Sequence, residues 1–421
     1  MRILAVIFLL LALALNAGAE NRFPKPQFEQ GYTVPVVAAP DARSVDLERL
    51  DFAVLFLSLT LASWLVLKQR SRRGVFLLSI FSVVYFGFWR KGCICSIGAI
   101  QNVTLWLMDS QYAIPVSAVA FFILPLVFAL VFGRVFCAAV CPLGAIQDLM
   151  VLFPVRVPRS IALVLGFIPY IYLGLGVLFA AVGASFLICR FDPFVPLFRL
   201  NGDFSIVLFG IALLLAGMFI ARPYCRFICP FSVLLNWMSR LSRWHVTITP
   251  DECVKCRLCE KSCPFDAIVV PDTGKTSEAR GTGIGRLKFL LLLLPVLVVT
   301  FGWMVSMLDI GMARIHPSVQ FAEALQKNDQ AKLRLMRLEM EAFESGGAKK
   351  AELYAQVGEL LKKFRTGGWL LGGFVGAVLG CSLIGVSMRM TRVFYEPDRG
   401  ACLSCARCFG SCPVGRKRIG M

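Results

Sequence analysis

From residue 51 onward the chain alternates between long apolar stretches and short segments dense in arginine and lysine. Seven stretches of roughly 17 to 25 residues stand out, near 51–68, 74–90, 115–133, 161–182, 204–221, 287–308 and 368–388. As helices, each is long enough to cross a hydrocarbon layer of about 30 Å. The polar segments holding Arg70-Ser71-Arg72-Arg73, Arg134 to Arg159, Arg222 to Arg286 and Arg389 to Arg418 carry the positive charge, so they are expected on the cytoplasmic side. Ahead of the spans, residues 1–19 read as a signal peptide, with Arg2, the apolar Ile3–Leu15 and the small Ala17-Gly18-Ala19. An uncleaved anchor is the other reading. Residues 20–50, with Phe23-Pro24-Lys25-Pro26, form a Pro-rich arm expected outside the cytoplasm. Removal of a signal peptide places the N-terminus outside, and seven spans return the C-terminus inside. The pattern therefore predicts an all-α polytopic membrane protein.

Between the last two spans, residues 309–367 are charged and helix-forming, with a break at Ser345-Gly346-Gly347. Leu325, Leu333, Met336, Met340 and Phe343 recur near helical spacing. This is a helical hairpin on the outer face, either a solvated spacer or a docking surface for an extracytoplasmic partner.

Composition agrees with the spans. Of 421 residues 57% are hydrophobic and the mean hydropathy is +0.72, above the roughly half-apolar norm of soluble domains. A net charge of +18 could mean nucleic acid. Here the basic residues flank apolar spans, so they signify the positive-inside bias and attraction to anionic lipid heads, and no nucleic-acid partner is expected. Sixteen cysteines against two histidines change the chemistry. His245 and His316 fall outside every apolar span, so no haem held by paired histidines within the membrane is expected.

Cys253, Cys256, Cys259, Cys263 and Pro264 spell C-x2-C-x2-C-x3-C-P, and the run returns 149 residues later as Cys402, Cys405, Cys408, Cys412 and Pro413. Four thiolates at this spacing wrap a [4Fe–4S] cube, and in two-cluster proteins the fourth cysteine of each run ligates the other cluster. The expected sets are Cys253, Cys256, Cys259 and Cys412, and Cys402, Cys405, Cys408 and Cys263. Zinc motifs lack the third C-x2-C step and the trailing C-P. An even number of spans, two, separates the runs. Both emerge on one side and can form a single split ferredoxin-like α+β dicluster domain, from residues 245–286 and 391–421, interrupted by spans 287–308 and 368–390.

The five-helix part, residues 51–244, holds a repeat. Arg134-Val-Phe-Cys137-Ala-Ala-Val-Cys141-Pro142-Leu143 matches Arg222-Pro-Tyr-Cys225-Arg-Phe-Ile-Cys229-Pro230-Phe231, 88 residues on. Upstream of each lies an outer cysteine element, Cys93-Ile94-Cys95 and Cys189-Arg190-Phe191-Asp192-Pro193. Cys95-Ser-Ile-Gly-Ala-Ile-Gln101 also echoes Cys141-Pro-Leu-Gly-Ala-Ile-Gln147. Residues i and i+4 share a helix face, so each C-x3-C pair can aim two sulfurs one way. Pseudo-twofold packing would gather Cys137, Cys141, Cys225 and Cys229 at the inner edge and Cys93, Cys95 and Cys189 at the outer. Those sets are candidate ligands of a further thiolate-bound Fe–S or metal centre; small buried cysteines that let helices pack closely are the alternative. Cys381, alone in the last span, reads as packing.

With these motifs together, the chain from about residue 74 to its end resembles the NosR/NapH-like family of membrane-bound polyferredoxins, and more distantly the CcoG group. The resemblance implies a bacterial inner-membrane protein passing electrons across the membrane to a periplasmic redox partner. NosR-like members carry a covalent flavin on a large periplasmic domain ahead of the spans. Only the Pro-rich arm precedes them here, so no flavin is expected in this chain, and a separate flavoprotein subunit could supply one. CcoG-like members reduce copper, which makes a copper reductase or metallo-enzyme assembly factor the rival function. The expected function is relay through two cytoplasmic [4Fe–4S] clusters, fed by a ferredoxin- or flavodoxin-like donor or by quinol, with no catalytic residue of its own.

Reporter fusions at Gly346 and after Met421 are expected to report opposite compartments. Matching compartments would overturn both the topology and the shared domain.

Overall fold

The computed structural model describes residues 44–92, 96–110, 112–248, 253–271, 280–337, 340–341, 343, 350–387 and 395–413. The expected signal peptide, the arm up to residue 43 and the Ser345-Gly346-Gly347 break lie outside the described residues.

Each of the seven apolar stretches is helical. Among the described residues five helices are long and apolar enough to cross a membrane: α1 Val45–Leu67, α2 Arg72–Trp89, α6 Arg159–Ala181, α11 from Arg280 to Ser306 and α12 Lys350–Ser387. The other two are shorter, α4 Val116–Phe132 with 17 residues and α7 Phe204–Gly217 with 14. At 1.5 Å per residue they reach about 25 and 21 Å. The reason lies at their ends. Gly133 (φ 75°) stops α4, and after α7 the chain turns through Arg222 (φ 50°) before the short helix α8 Pro223–Phe227. The apolar stretch 204–221 continues past Gly217, but its last residues form that turn.

Three shorter helices follow the cysteine elements: α3 Ser96–Met108, α5 Pro142–Leu149 and α9 Phe231–Arg240. α3 was not expected, because Gln101, Asn102 and Thr104 interrupt its apolar sequence. Thr104 satisfies its hydroxyl on the Ile100 carbonyl (2.8 Å), as a buried hydroxyl must. α3 packs between α4 and α6, and α9 packs on α4.

α11 and α12 form a closely packed antiparallel pair. Gly368, Gly372, Gly376 and Gly380 recur every fourth residue along α12, and Cβ atoms there would strike the backbone of Ser306, Phe301 and Leu297 or the side chain of Leu294. This is close approach through small residues, as membrane helices use it. Cys381 lies beside the ridge and is exposed, so it does not serve the packing expected of it. α12 also corrects the expected boundary at residue 367. It runs unbroken for 38 residues, about 57 Å, so the second arm of the hairpin and the last span are one helix. The predicted stripe is only half-buried. Val319, Phe321, Ala322 and Ala324 of the first arm are buried instead, and Phe364 of α12 stacks edge-on against Phe179 of α6 (5.4 Å between centroids).

At the other end the two cysteine-bearing segments meet. Strand β1 Ile268–Val269 pairs antiparallel with β2 Glu396–Pro397, Ile268 opposite Pro397. Helix α10 Leu258–Ser262, of the first run, packs against α13 Arg407–Ser411, of the second.

Gly372→Leu is expected to force α11 and α12 apart at a cost of about 1–3 kcal/mol or more, lowering the thermal midpoint of the detergent-solubilised protein. Gly385→Leu, with nothing within 4 Å of the added carbon, should leave it unchanged.

Candidate metal centres

The two C-x2-C-x2-C-x3-C runs share one backbone path. In each, the residues before and after the second cysteine are left-handed: Lys255 (φ 51°) and Arg257 (φ 61°), Ser404 (φ 53°) and Ala406 (φ 61°). A single helical turn follows, then an extended fourth cysteine, Cys263 at φ −84°, ψ 107° and Cys412 at φ −83°, ψ 116°. The left-handed kinks curl the loop around a centre, and the extended residue carries the fourth sulfur away from it. Cys259 lies within electrostatic reach of Cys253, Cys256 and Cys412. Cys263, Cys402, Cys405 and Cys408 line one cavity, closed by Phe265, Leu403 and Ala406.

These donors fit a cationic iron–sulfur core. Burial pushes the Cys402 thiol up to about 12, and repulsion from Cys405 and Cys263 adds to it. Burial likewise raises Cys408 and Cys263. Thiolates gather in such a place only when positive charge is bound among them. Among the described residues no three His, Cys, Asp or Glu side chains form a group that could hold a single metal ion.

The runs differ in what covers them. Val254, Lys255, Cys256, Arg257, Leu258 and Lys261 of the first are exposed, whereas Leu403, Ser404, Ala406 and Phe409 of the second are buried against the membrane helices. Arg134 donates to the Gly400 carbonyl (3.0 Å), Arg72 to the Cys405 carbonyl (3.3 Å) and Ser239 to the Arg399 carbonyl (2.6 Å). Gly400 has no room for a Cβ, which would collide with Asn236.

Beneath the second run lie both C-x3-C pairs. Cys137, Cys141, Cys225 and Cys229 are each 6–8% exposed, and Cys229 is within electrostatic reach of the other three. Their backbone is not plain α-helix. The Cys141 N–H donates to the Phe136 carbonyl (2.9 Å) and the Cys229 N–H to the Tyr224 carbonyl (2.8 Å), five residues back in both repeats. Phe136–Val140 is a π-helical turn, a distortion frequent at functional sites. Pro142 and Pro230 then begin the next helices. Gln147 binds at the first cysteine of the second pair, donating to Cys225 Sγ (3.3 Å) and accepting from the Tyr224 N–H (3.0 Å).

Cys93 and Cys95 lie outside the described residues. Cys189 is exposed on the wall of a cavity of about 310 Å³, which Arg90, Asn102, Phe121, Asp192 and Arg199 also line. Gln101 accepts from the Cys189 N–H (3.2 Å), repeating Gln147's role on the other side of the membrane part.

Sequence reasoning passed over Asp148, next to the quoted Gln147. Its carboxylate, with no exposure, meets Arg72 (2.5 Å), Arg407 (3.2 Å) and Arg222 (3.4 Å). Burial alone would raise its pKa, but Arg222, Arg72 and Arg407 hold it down at about 2. A lone carboxylate in the apolar stretch Cys141–Leu152 is the signal that could have found it.

Residues 114–160 and 203–249 each match a family described as a 4Fe-4S binding domain, and residues 246–269 match another of the same description. Both C-x3-C-P motifs fall in the first, and the Cys253 run falls in the second. Protein NirI of Paracoccus denitrificans is 32% identical over 152 residues, 33% of this chain and 22% of that protein. Regulatory protein NosR of Pseudomonas aeruginosa is 28% identical over 232 residues, 51% of this chain and 32% of its own length. YccM of Escherichia coli, named for electron transport, is 25% identical over 186 residues, 40% of this chain and 52% of that one. The matched segment thus spans a third or less of NirI and NosR. No solved structure matches.

Cys412→Ser is expected to damage the centre on Cys253, Cys256 and Cys259 and to spare the one on Cys402, Cys405 and Cys408, as read by EPR of the purified protein. The reverse outcome would mean that each run keeps its own fourth cysteine.

Proposed function

We propose that the chain, similar to NosR and NirI and matched by 4Fe-4S binding families, is a NosR/NapH-like membrane polyferredoxin that relays single electrons through two [4Fe–4S] clusters on the cytoplasmic face toward a periplasmic redox partner. The reading rests most on one observation: Cys263 of the first run shares a cavity with Cys402, Cys405 and Cys408 of the second. When bound, the clusters supply reversible one-electron storage. The protein's own residues position them and set their surroundings. Cys253, Cys256, Cys259 and Cys412 would hold one, and Cys402, Cys405, Cys408 and Cys263 the other.

The exposed first run faces the donor. Val254 and Leu258 offer apolar contact, while Lys255, Arg257 and Lys261 surround them with positive charge. Glu260, the acidic residue of the turn, is already engaged by Arg156 (3.4 Å) and Arg257 (3.6 Å). Such a face suits an acidic ferredoxin- or flavodoxin-like protein. The second run, sealed by Leu403, Ala406 and Phe409, faces the membrane cysteines with water excluded. Cys137, Cys141, Cys225 and Cys229 would hold a further centre on the way to the Cys189 cavity, where a periplasmic partner would meet the chain. Quinol remains an alternative donor and a flavoprotein subunit an alternative acceptor.

Copper reduction is the second reading, favoured by the same four buried thiols, since soft sulfur suits Cu(I). One experiment separates the readings. Purified protein should contain about eight irons and eight sulfides, or more if the buried pairs hold a cluster. Cys137→Ala with Cys225→Ala should keep the eight and lose the excess. A count near zero in the wild type overturns the relay; stoichiometric copper lost with the double substitution favours the copper reading; an unchanged metal count with unchanged electron transfer reduces the four cysteines to packing.

A further inference from the structure

The ion cluster around Asp148 does more than hold two parts of the fold together. Arg407 lies within the second run, between Cys405 and Cys408. Arg72, at the start of α2, reaches both the Asp148 carboxylate (2.5 Å) and the Cys405 carbonyl (3.3 Å). Arg222 begins the second C-x3-C motif, donates to the Cys137 carbonyl and to the Ala138 carbonyl (3.0 Å), and meets Asp148 at 3.4 Å. Gly144 lies against this bond: a Cβ there would stand 3.3 Å from the Cys137 carbonyl oxygen that Arg222 meets. Three guanidinium groups and one carboxylate leave an excess of two positive charges between the second run and the buried pairs. Arg222 and Asp148 have no side-chain exposure, and Arg72 and Arg407 have 24% and 22%, so solvent screens this charge weakly.

The repeat shows that the acid is a choice. Eighty-eight residues after Asp148 stands Asn236, also beneath the second run, beside Gly400. The fold therefore accepts a neutral amide at the equivalent place. A carboxylate at 148 adds charge where shape alone did not demand it.

We infer that Asp148 is a positioning residue for the electron relay: by holding Arg72, Arg222 and Arg407 together it sets the reduction potential of the centre bound by Cys402, Cys405, Cys408 and Cys263. Positive charge nearby stabilises the more negative reduced core, and the carboxylate moderates that effect. The inference rests on the two-cluster reading above.

The test is a potentiometric titration of the purified full-length protein, followed by EPR of both clusters. Asp148→Asn adds one unit of positive charge and should shift the reduction equilibrium of the second cluster about tenfold toward the reduced form, about 59 mV upward for one electron. Arg72→Gln removes one unit and should shift it downward by a similar factor. The cluster on Cys253 should move several times less in both. Asp51→Asn, which breaks another buried ion pair (Arg90 to Asp51, 2.9 Å) at the opposite end of α2, should move neither. Where Asp148→Asn fails to assemble, Arg72→Gln decides alone, because its side chain is partly exposed. Unchanged midpoints, equal shifts in both clusters, or shifts of the same sign in the two variants would overturn the inference. Lack of two distinguishable clusters in the wild type would instead sink the reading beneath it.

Discussion

A buried guanidinium group must find partners or be expelled to water, and Arg134 and Arg222 sit at 5% and 0% exposure directly beneath the second cysteine run. The repeat supplies the two arginines but not their partners. Arg134 donates to the Gly400 carbonyl and the Ser232 hydroxyl (2.7 Å), Arg222 donates to two carbonyls and pairs with Asp148, and only the Nε of each is left without a hydrogen-bond acceptor. Lifting the second run off the membrane helices would strip Arg134 of one partner and Asp148 of Arg407. Leaving such groups buried and unpaired costs several kcal/mol. The small β1–β2 domain is therefore fixed to the membrane part by polar contacts that its short strands could not replace.

The seven apolar stretches were legible because run length and hydropathy are local properties of the chain. Where helices stop was less so. The Arg222 turn consumes the end of 204–221, and α12 continues smoothly through a boundary that a change in composition had suggested, since lysine and glutamate are as good helix formers as leucine. That the two cysteine runs share one backbone path was legible in their identical spacing, since left-handed residues flank the second cysteine in both. The C-x3-C motifs gave the gathering of sulfurs but not the geometry. The α-helical spacing expected of them is replaced at Cys137–Cys141 by a π-helical turn, whose closing bond to Phe136 leaves no mark in the sequence. Asp148 was missed for a different reason: its partners lie at positions 72, 222 and 407, and no window of sequence contains them.

Gln101 and Gln147 show one device used twice. Each sits six residues after a cysteine in matching sequence, is fully buried, and accepts from a backbone N–H at or beside a cysteine of the opposite element, Cys189 or Tyr224. A side-chain amide donates and accepts at once, so it can fix a cysteine's backbone while directing a hydrogen at a sulfur, as Gln147 does to Cys225. Hydrogen bonds to sulfur are among the levers by which proteins tune such centres.

The pairing of β1 with β2 has a consequence for biosynthesis. Cys253 is made 149 residues before Cys402, and at about 5–20 residues per second the ribosome needs roughly 7 to 30 s to cover that distance. In that interval α11 and α12 must form and close on each other along their glycine ridge before the second run can reach the first. Under the proposed crossed ligand sets, Cys253, Cys256, Cys259 and Cys263 would stay a half-built site until then. Iron loading would thereby wait for the helical pair to close, and a chain stalled within the hairpin would carry thiols with nowhere to dock.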